Sequence, residues 1–177
     1  MEAVKDRLSE RNYYFLKKFQ EYIGSELIFF GSIKRCDFIQ KYSDIDIAII
    51  TDNVSETISK LKHFFDIDNR KLSKTVQIFN ANYEKNLAYG YKTNLYDYDN
   101  DLYLEIIIYD EKFRYVVEKN IEITNNMPFY ITYFMILIKI IHYKLNVITK
   151  DMYILFKKIF YGFYLHKVND DLITINL

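Results

Sequence analysis

The residues with the types and spacing for chemistry on phosphates lie in two short stretches. Phe29-Phe30-Gly31-Ser32 ends an apolar run and leads into Ile33-Lys34-Arg35, and Asp44-Ile45-Asp46-Ile47 opens a second run after an eleven-residue spacer, Ile33 to Ser43. In a strand, successive side chains face opposite ways, so Asp44, Asp46 and Ala48 share one face while Ile45, Ile47 and Ile49 share the other. The isoleucines bury, and the carboxylates meet solvent or metal together. Two carboxylates so placed repel each other unless cations lie between them, and hard oxygen donors suit Mg²⁺. A pair of such ions about 3.5–4 Å apart stabilises both the attacking and the leaving oxygen of phosphoryl transfer.

Gly31-Ser32 supplies a complementary part. Glycine allows close backbone approach, serine offers an N–H and a hydroxyl, and a helix starting there would aim its N-terminus at an anion. Lys34 and Arg35 are unfavourable in such a first turn, a cost that bound phosphate would relieve. A third acid, Glu105, is embedded in the apolar pattern Leu102-Tyr103-Leu104-Glu105-Ile106-Ile107-Ile108. An acid there needs a reason, either a site or pairing with a base such as Lys92 across a hairpin.

These residues need strands to hold them. Glu26–Phe30 and Asp44–Ile50 read as the first two, followed by Thr75–Phe79, Tyr89–Leu95 and Leu102–Tyr109, with Asp97–Asp101 as a hairpin loop. An amphipathic helix fills the first twenty-odd residues and ends at Gly24, and Asn53 with Glu56 forms a capping box for a second helix through Ile58, Leu61 and Phe65. After Pro128 come two helices, about 128–145 and 149–167. The expected organisation is α+β (α/β), a mixed sheet flanked by helices, with residues 1–127 as catalytic domain and 128–177 as a C-terminal helical segment packed on it.

Composition bounds the rest. The chain has 177 residues, half of them hydrophobic, which excludes a disordered chain. Its net charge of zero argues against whole-molecule binding to a polyanion. That zero conceals a division: 128–177 carries +3 and the remainder −3, so the tail either faces phosphates or presents a solvated helix face. Many Ile, Asn, Lys and Tyr with few Gly and Pro suggest an AT-rich genome. Cys36 is the only cysteine and no secretory signal is visible, which points to a reducing, cytoplasmic setting. The apolar run Met127–Ile141 is short for a membrane span and contains Lys139, so it reads as a core helix. His63, His142 and His166 have no metal-ligand spacing. Tyr130, Tyr133, Tyr143, Tyr153, Tyr161 and Tyr164 are core residues first and base-stacking rings second.

Together, Phe30-Gly31-Ser32, the spacer and Asp44-Ile45-Asp46-Ile47 resemble the nucleotidyltransferase superfamily with the DNA polymerase beta-like fold. The motif form is closest to minimal nucleotidyltransferases and noncanonical poly(A) and uridylyl transferases. The resemblance implies that Gly31 and Ser32, with Lys34 and Arg35, bind a nucleoside triphosphate. Asp44, Asp46 and Glu105 would be catalytic and would hold two Mg²⁺ or Mn²⁺ ions. Most members have Asp at the third position; Asp101 and Asp110 are the alternatives to Glu105. The implied reaction transfers a nucleoside monophosphate from an NTP to a hydroxyl of a protein, a nucleic-acid end or a small molecule, releasing pyrophosphate. The competing reading is an inactive binding or scaffold protein of the same fold, a nucleotide sensor or antitoxin-like partner. A protein partner through the tail is a further expectation, and no membrane association is expected.

Overall fold

A computed structural model describes residues 1–68, 71–81, 84–168 and 173–176. Helix α1 (Glu10–Ile23) buries Leu16, Phe19 and Ile23 and ends at Gly24 in the left-handed conformation, φ +74°. It does not extend to the N-terminus as the periodicity suggests. A separate 3-10 segment, Glu2–Arg7, precedes it, Leu8 is extended, and the Ser9 hydroxyl accepts from the Asn12 N–H to start α1 afresh. With Leu8 extended, the first amides of α1 lack helical carbonyls, and the serine oxygen takes one of them.

The strands are β1 (Ile28–Phe30), β2 (Ile45–Thr51), β3 (Ser73–Ala81), β4 (Glu84–Asp97), β5 (Leu102–Asp110) and β6 (Ile173–Asn176). They form one mixed sheet in the order β1-β2-β5-β4-β3-β6, in which β2 and β5 run parallel and the other neighbours antiparallel. Strand β4 is longer than its alternating core suggests because it pairs along both β3 and β5. The tail, expected to be wholly helical, ends in β6 on the edge of β3.

Helix α2 (Val54–Phe65) follows β2. The Asn53 side chain accepts from the Glu56 N–H, and the Glu56 carboxylate accepts from the Asn53 side-chain amide. On one face of the sheet α1 and α2 cover Ile45, Ile47, Ile49, Leu104, Ile106 and Ile108. On the other, α3 (Arg114–Asn125) sets Val116 and Val117 against Ala48, Ile50, Ile107 and Tyr109. Full burial of each such aliphatic side chain contributes about 1.5–3 kcal/mol, so the alternation of β2 anchors it between two helical layers.

Helices α4 (Phe129–Tyr143) and α5 (Lys150–Val168) form a hairpin around Met127, Ile131, Met135, Ile138 and Tyr153. Phe129, Tyr133 and Leu137 lie exposed on the outside of α4. Pro128 takes the cap position of α4. Among the described residues no helix is long and apolar enough to cross a membrane.

Candidate active site

Asp46 faces Glu105 across the parallel β2–β5 pair, and Phe30 faces Asp46 across β1–β2. Three strands thus converge on one point. Gly31 follows Phe30 with φ +71°, and a Cβ built on it would lie 2.0 Å from Asp46 Oδ2. Both conformation and space therefore demand glycine here. Asp44, just ahead of β2, is exposed, and Asp46 and Glu105 are half-buried. As expected, the isoleucines alternate away from this face into the core.

Charges on this face are unequally compensated. Lys92 of β4 reaches Glu105, with Nζ 2.7 Å from Oε2, so the cross-strand pairing considered for Glu105 does form. Burial, with Glu105 and then Asp44 adding repulsion, pushes the Asp46 carboxyl up to about 7, against the opposing fields of Lys157 and Arg35. Although the residue as a whole is exposed, the Asp44 carboxyl is also raised, first by the desolvation its neighbours impose and then by Glu105, with Lys157 the largest opposing charge. Lys157 belongs to α5. The basic tail thus brings positive charge to the acidic face through Lys157, itself exposed as Lys144, Lys150 and Lys158 are.

The segment after Gly31 is a single 3-10 turn, Gly31–Lys34, that buries Ser32 and Ile33 and leaves Lys34 exposed. The expected helix does not form. Arg35 is extended, φ −110° and ψ 173°, and its guanidinium turns inward to Asp37, with Nε 2.9 Å from Oδ1 and Nη2 3.2 Å from Oδ2. Its Nη1 donates to the Thr124 carbonyl at 2.9 Å. The Gly31 N–H donates to Asn125 Oδ1 at 3.2 Å. The end of α3 is thereby pinned against the glycine turn.

The alternatives to Glu105 are engaged elsewhere. The Asp101 carboxylate accepts from the Tyr96 hydroxyl at 2.6 Å, and the Asp110 carboxylate accepts from the Lys112 N–H at 3.1 Å. Cys36 is exposed in a turn. His63 pairs with the Tyr22 hydroxyl, and His142 stacks on Tyr153 at 4.9 Å. Tyr143 stacks on Tyr42 at 5.0 Å, and both Tyr143 and Tyr153 are raised by burial and by the Asp44 charge. The side chains of Tyr161, Tyr164 and His166 lie outside those described.

A family model for the nucleotidyltransferase domain matches residues 13–130, two-thirds of the chain. The chain belongs to the nucleotidyltransferase domain family. No curated protein and no solved structure gives a significant match. The matched span of this nucleotidyltransferase domain runs from α1 to the start of α4 and contains Gly31, Ser32, Asp44, Asp46 and Glu105.

Divalent cations are typical of nucleotidyltransferase domains, and the donor chemistry here fits them. Hard carboxylate oxygens share one face, and the repulsion that adds to burial in raising Asp46 is what a cation would remove. Among the described residues, however, no three His, Cys, Asp or Glu side chains form a group arranged for a metal; Glu105 is paired with Lys92.

Sequence reasoning missed the inward partners Asp37, Ser43, Asn125 and Lys139. Only Lys139 left a signal, as a lysine inside an apolar helix, which requires an anion or carbonyls nearby.

Proposed function

We propose that this domain is a Mg²⁺- or Mn²⁺-dependent nucleotidyltransferase that moves a nucleoside monophosphate from an NTP to an acceptor hydroxyl and releases pyrophosphate. The observation that carries the reading is the convergence of Gly31 on Asp46 and of Asp46 on Glu105 across adjacent strands. Asp44 and Asp46, completed by Glu105, would hold the cations, and when bound these supply Lewis-acid stabilisation of charge on the transferred phosphoryl group. The Gly31–Ser32 turn would meet phosphate oxygens once its N–H is released from Asn125, and Lys34 is exposed beside it. Arg35 supports the turn and contributes its field from below. Lys157, exposed and close enough for its charge to act on Asp46, would add charge against the triphosphate. Glu105, freed from Lys92, would assist deprotonation of the acceptor hydroxyl.

The acceptor classes are a protein side chain, a nucleic-acid end or a small molecule; zero net charge favours a compact acceptor over a long duplex. Residues 1–127 would form the catalytic domain, with the α4–α5 tail packed on it. The exposed Phe129, Tyr133 and Leu137 support a protein partner on the tail.

Two observations favour a second reading, an inactive nucleotide-binding or scaffold protein of this fold. The Lys92–Glu105 pair and the Asn125–Gly31 bond occupy groups that catalysis would use. Incubation with each labelled NTP and Mg²⁺ or Mn²⁺, for wild type and for Asp44→Asn/Asp46→Asn, separates the two. Transfer by wild type alone supports the enzyme. Cation-dependent nucleotide binding without transfer supports the sensor, and transfer that survives in the double variant refutes the ligand assignment.

A further inference from the structure

Lys139 is the only lysine of α4 and lies buried at 5% exposure between the helical tail and the loop that leads to Asp44. Its ammonium group has three protons to place, and three acceptors surround it. Asp37 O lies at 2.6 Å, Asp37 Oδ2 at 3.2 Å and Ser43 Oγ at 3.0 Å. Asp37 is fully buried and also receives the Arg35 fork. Ser43 Oγ accepts in addition from the Ile39 N–H at 3.0 Å. The loop between the glycine turn and the carboxylate strand is therefore tied internally at Ile39–Ser43 and to α4 through one nitrogen.

An aliphatic side chain at this position would fill the space with less desolvation cost. What a lysine adds is direction: one of its bonds ends on the residue immediately before Asp44. The buried set of Arg35, Asp37 and Lys139 also carries two cations and one anion. Its excess positive charge is felt by the acidic face, Lys139 by Asp44 and Arg35 by Asp46.

We infer that Lys139 is a positioning residue for the cation-binding carboxylates, fixing the Ser43–Asp44 corner from the helical tail. The inference rests on the reading of Asp44 and Asp46 as cation ligands. Ser43→Ala removes the link to the corner and leaves every ion pair in place; Lys139→Met removes the anchor, and Lys139→Arg is the conservative replacement.

The test uses the full chain and reads Mn²⁺ affinity by electron paramagnetic resonance of the free ion, together with kcat and KM for the NTP and the urea midpoint. Ser43→Ala and Lys139→Met should each weaken Mn²⁺ binding about tenfold or more. They should lower kcat with little change in KM, and Lys139→Arg should restore part of the loss. In Mn²⁺ affinity the double variant should lose less than the two single losses together, because both break the Lys139–Ser43 bond, whereas in the urea midpoint the losses of the Ile39–Ser43 bond and of the Lys139–Asp37 pair should add. If the wild type binds Mn²⁺ and Ser43→Ala matches it in affinity and kcat, Lys139 is structural only and the inference fails alone. If the wild type neither binds Mn²⁺ nor transfers, the reading of the site fails and takes the inference with it.

Discussion

Replacing Asp46 by Asn should stabilise the cation-free protein, although the substitution removes a residue at the centre of the site. The carboxyl is raised from 3.8 to about 7. At 1.36 kcal/mol per pKa unit the ionised form costs the native state about 4 kcal/mol relative to the unfolded chain. The sign follows from linkage. A carboxyl raised in the native state binds more protons there than in the unfolded chain, so stability is fullest below pH 3.8 and falls as pH rises to about 7, then levels. Asn has the shape of the protonated acid and no such titration. The variant should therefore exceed the wild type by about 1–2 kcal/mol at pH 5 and by up to about 4 kcal/mol at pH 8. Urea unfolding in EDTA, followed by circular dichroism because the chain has no Trp, measures the difference directly. Added Mn²⁺ should then raise the wild-type midpoint and leave that of the variant nearly unchanged. A variant that is no more stable than the wild type at pH 8, or an advantage that does not grow between pH 5 and 7, would refute the account of Asp46 as a buried, repelled acid.

Gly31→Ala should lose at least about 1 kcal/mol of stability, from positive φ alone, and should also weaken Mn²⁺ binding, because its Cβ displaces Asp46 Oδ2. Asp37→Ala leaves Arg35 and Lys139 buried without their shared anion and should cost about 3–5 kcal/mol in urea unfolding. Lys157→Gln removes the largest charge favouring the ionisation of Asp46, so the Asp46 carboxyl should rise further; the fall in stability should extend to higher pH than in the wild type, and KM for the NTP should rise. Ser9→Ala should cost about 1 kcal/mol with no effect on Mn²⁺ affinity.

What could be read from the sequence was local and periodic. The two-residue alternation from Asp44 to Ile49 predicted the burial of Ile45, Ile47 and Ile49, though not that of Ala48 and Ile50 under α3 on the face of the acids, and the Asn53–Glu56 cap and the Gly24 stop follow from short-range backbone chemistry. Helix α3 was not recognised, for two reasons visible in its residues. It is rich in β-branched Val116, Val117, Ile121, Ile123 and Thr124, and no side chain caps its start at Phe113. The helix expected after Gly31 fails because Arg35 is drawn to Asp37. The Lys139–Asp37 contact joins positions 102 apart, and no local pattern encodes such a pair. The parallel alignment of Asp46 with Glu105 is equally nonlocal, although the embedded acid at Glu105 pointed towards it.

The pairing of β6 with β3 bears on how the chain is made. Val76 waits for Ile175, so during synthesis the outer edge of β3 stays open while about a hundred further residues emerge. Open edges recruit other strands, and pairings of such long sequence separation form slowly. Products cut short before residue 173 would carry that edge uncovered, and chaperone dependence should concentrate in them. The same geometry complicates removal of the tail as a functional experiment. Deleting 128–177 takes away α4 and α5, and with them the strand that closes the far side of the sheet.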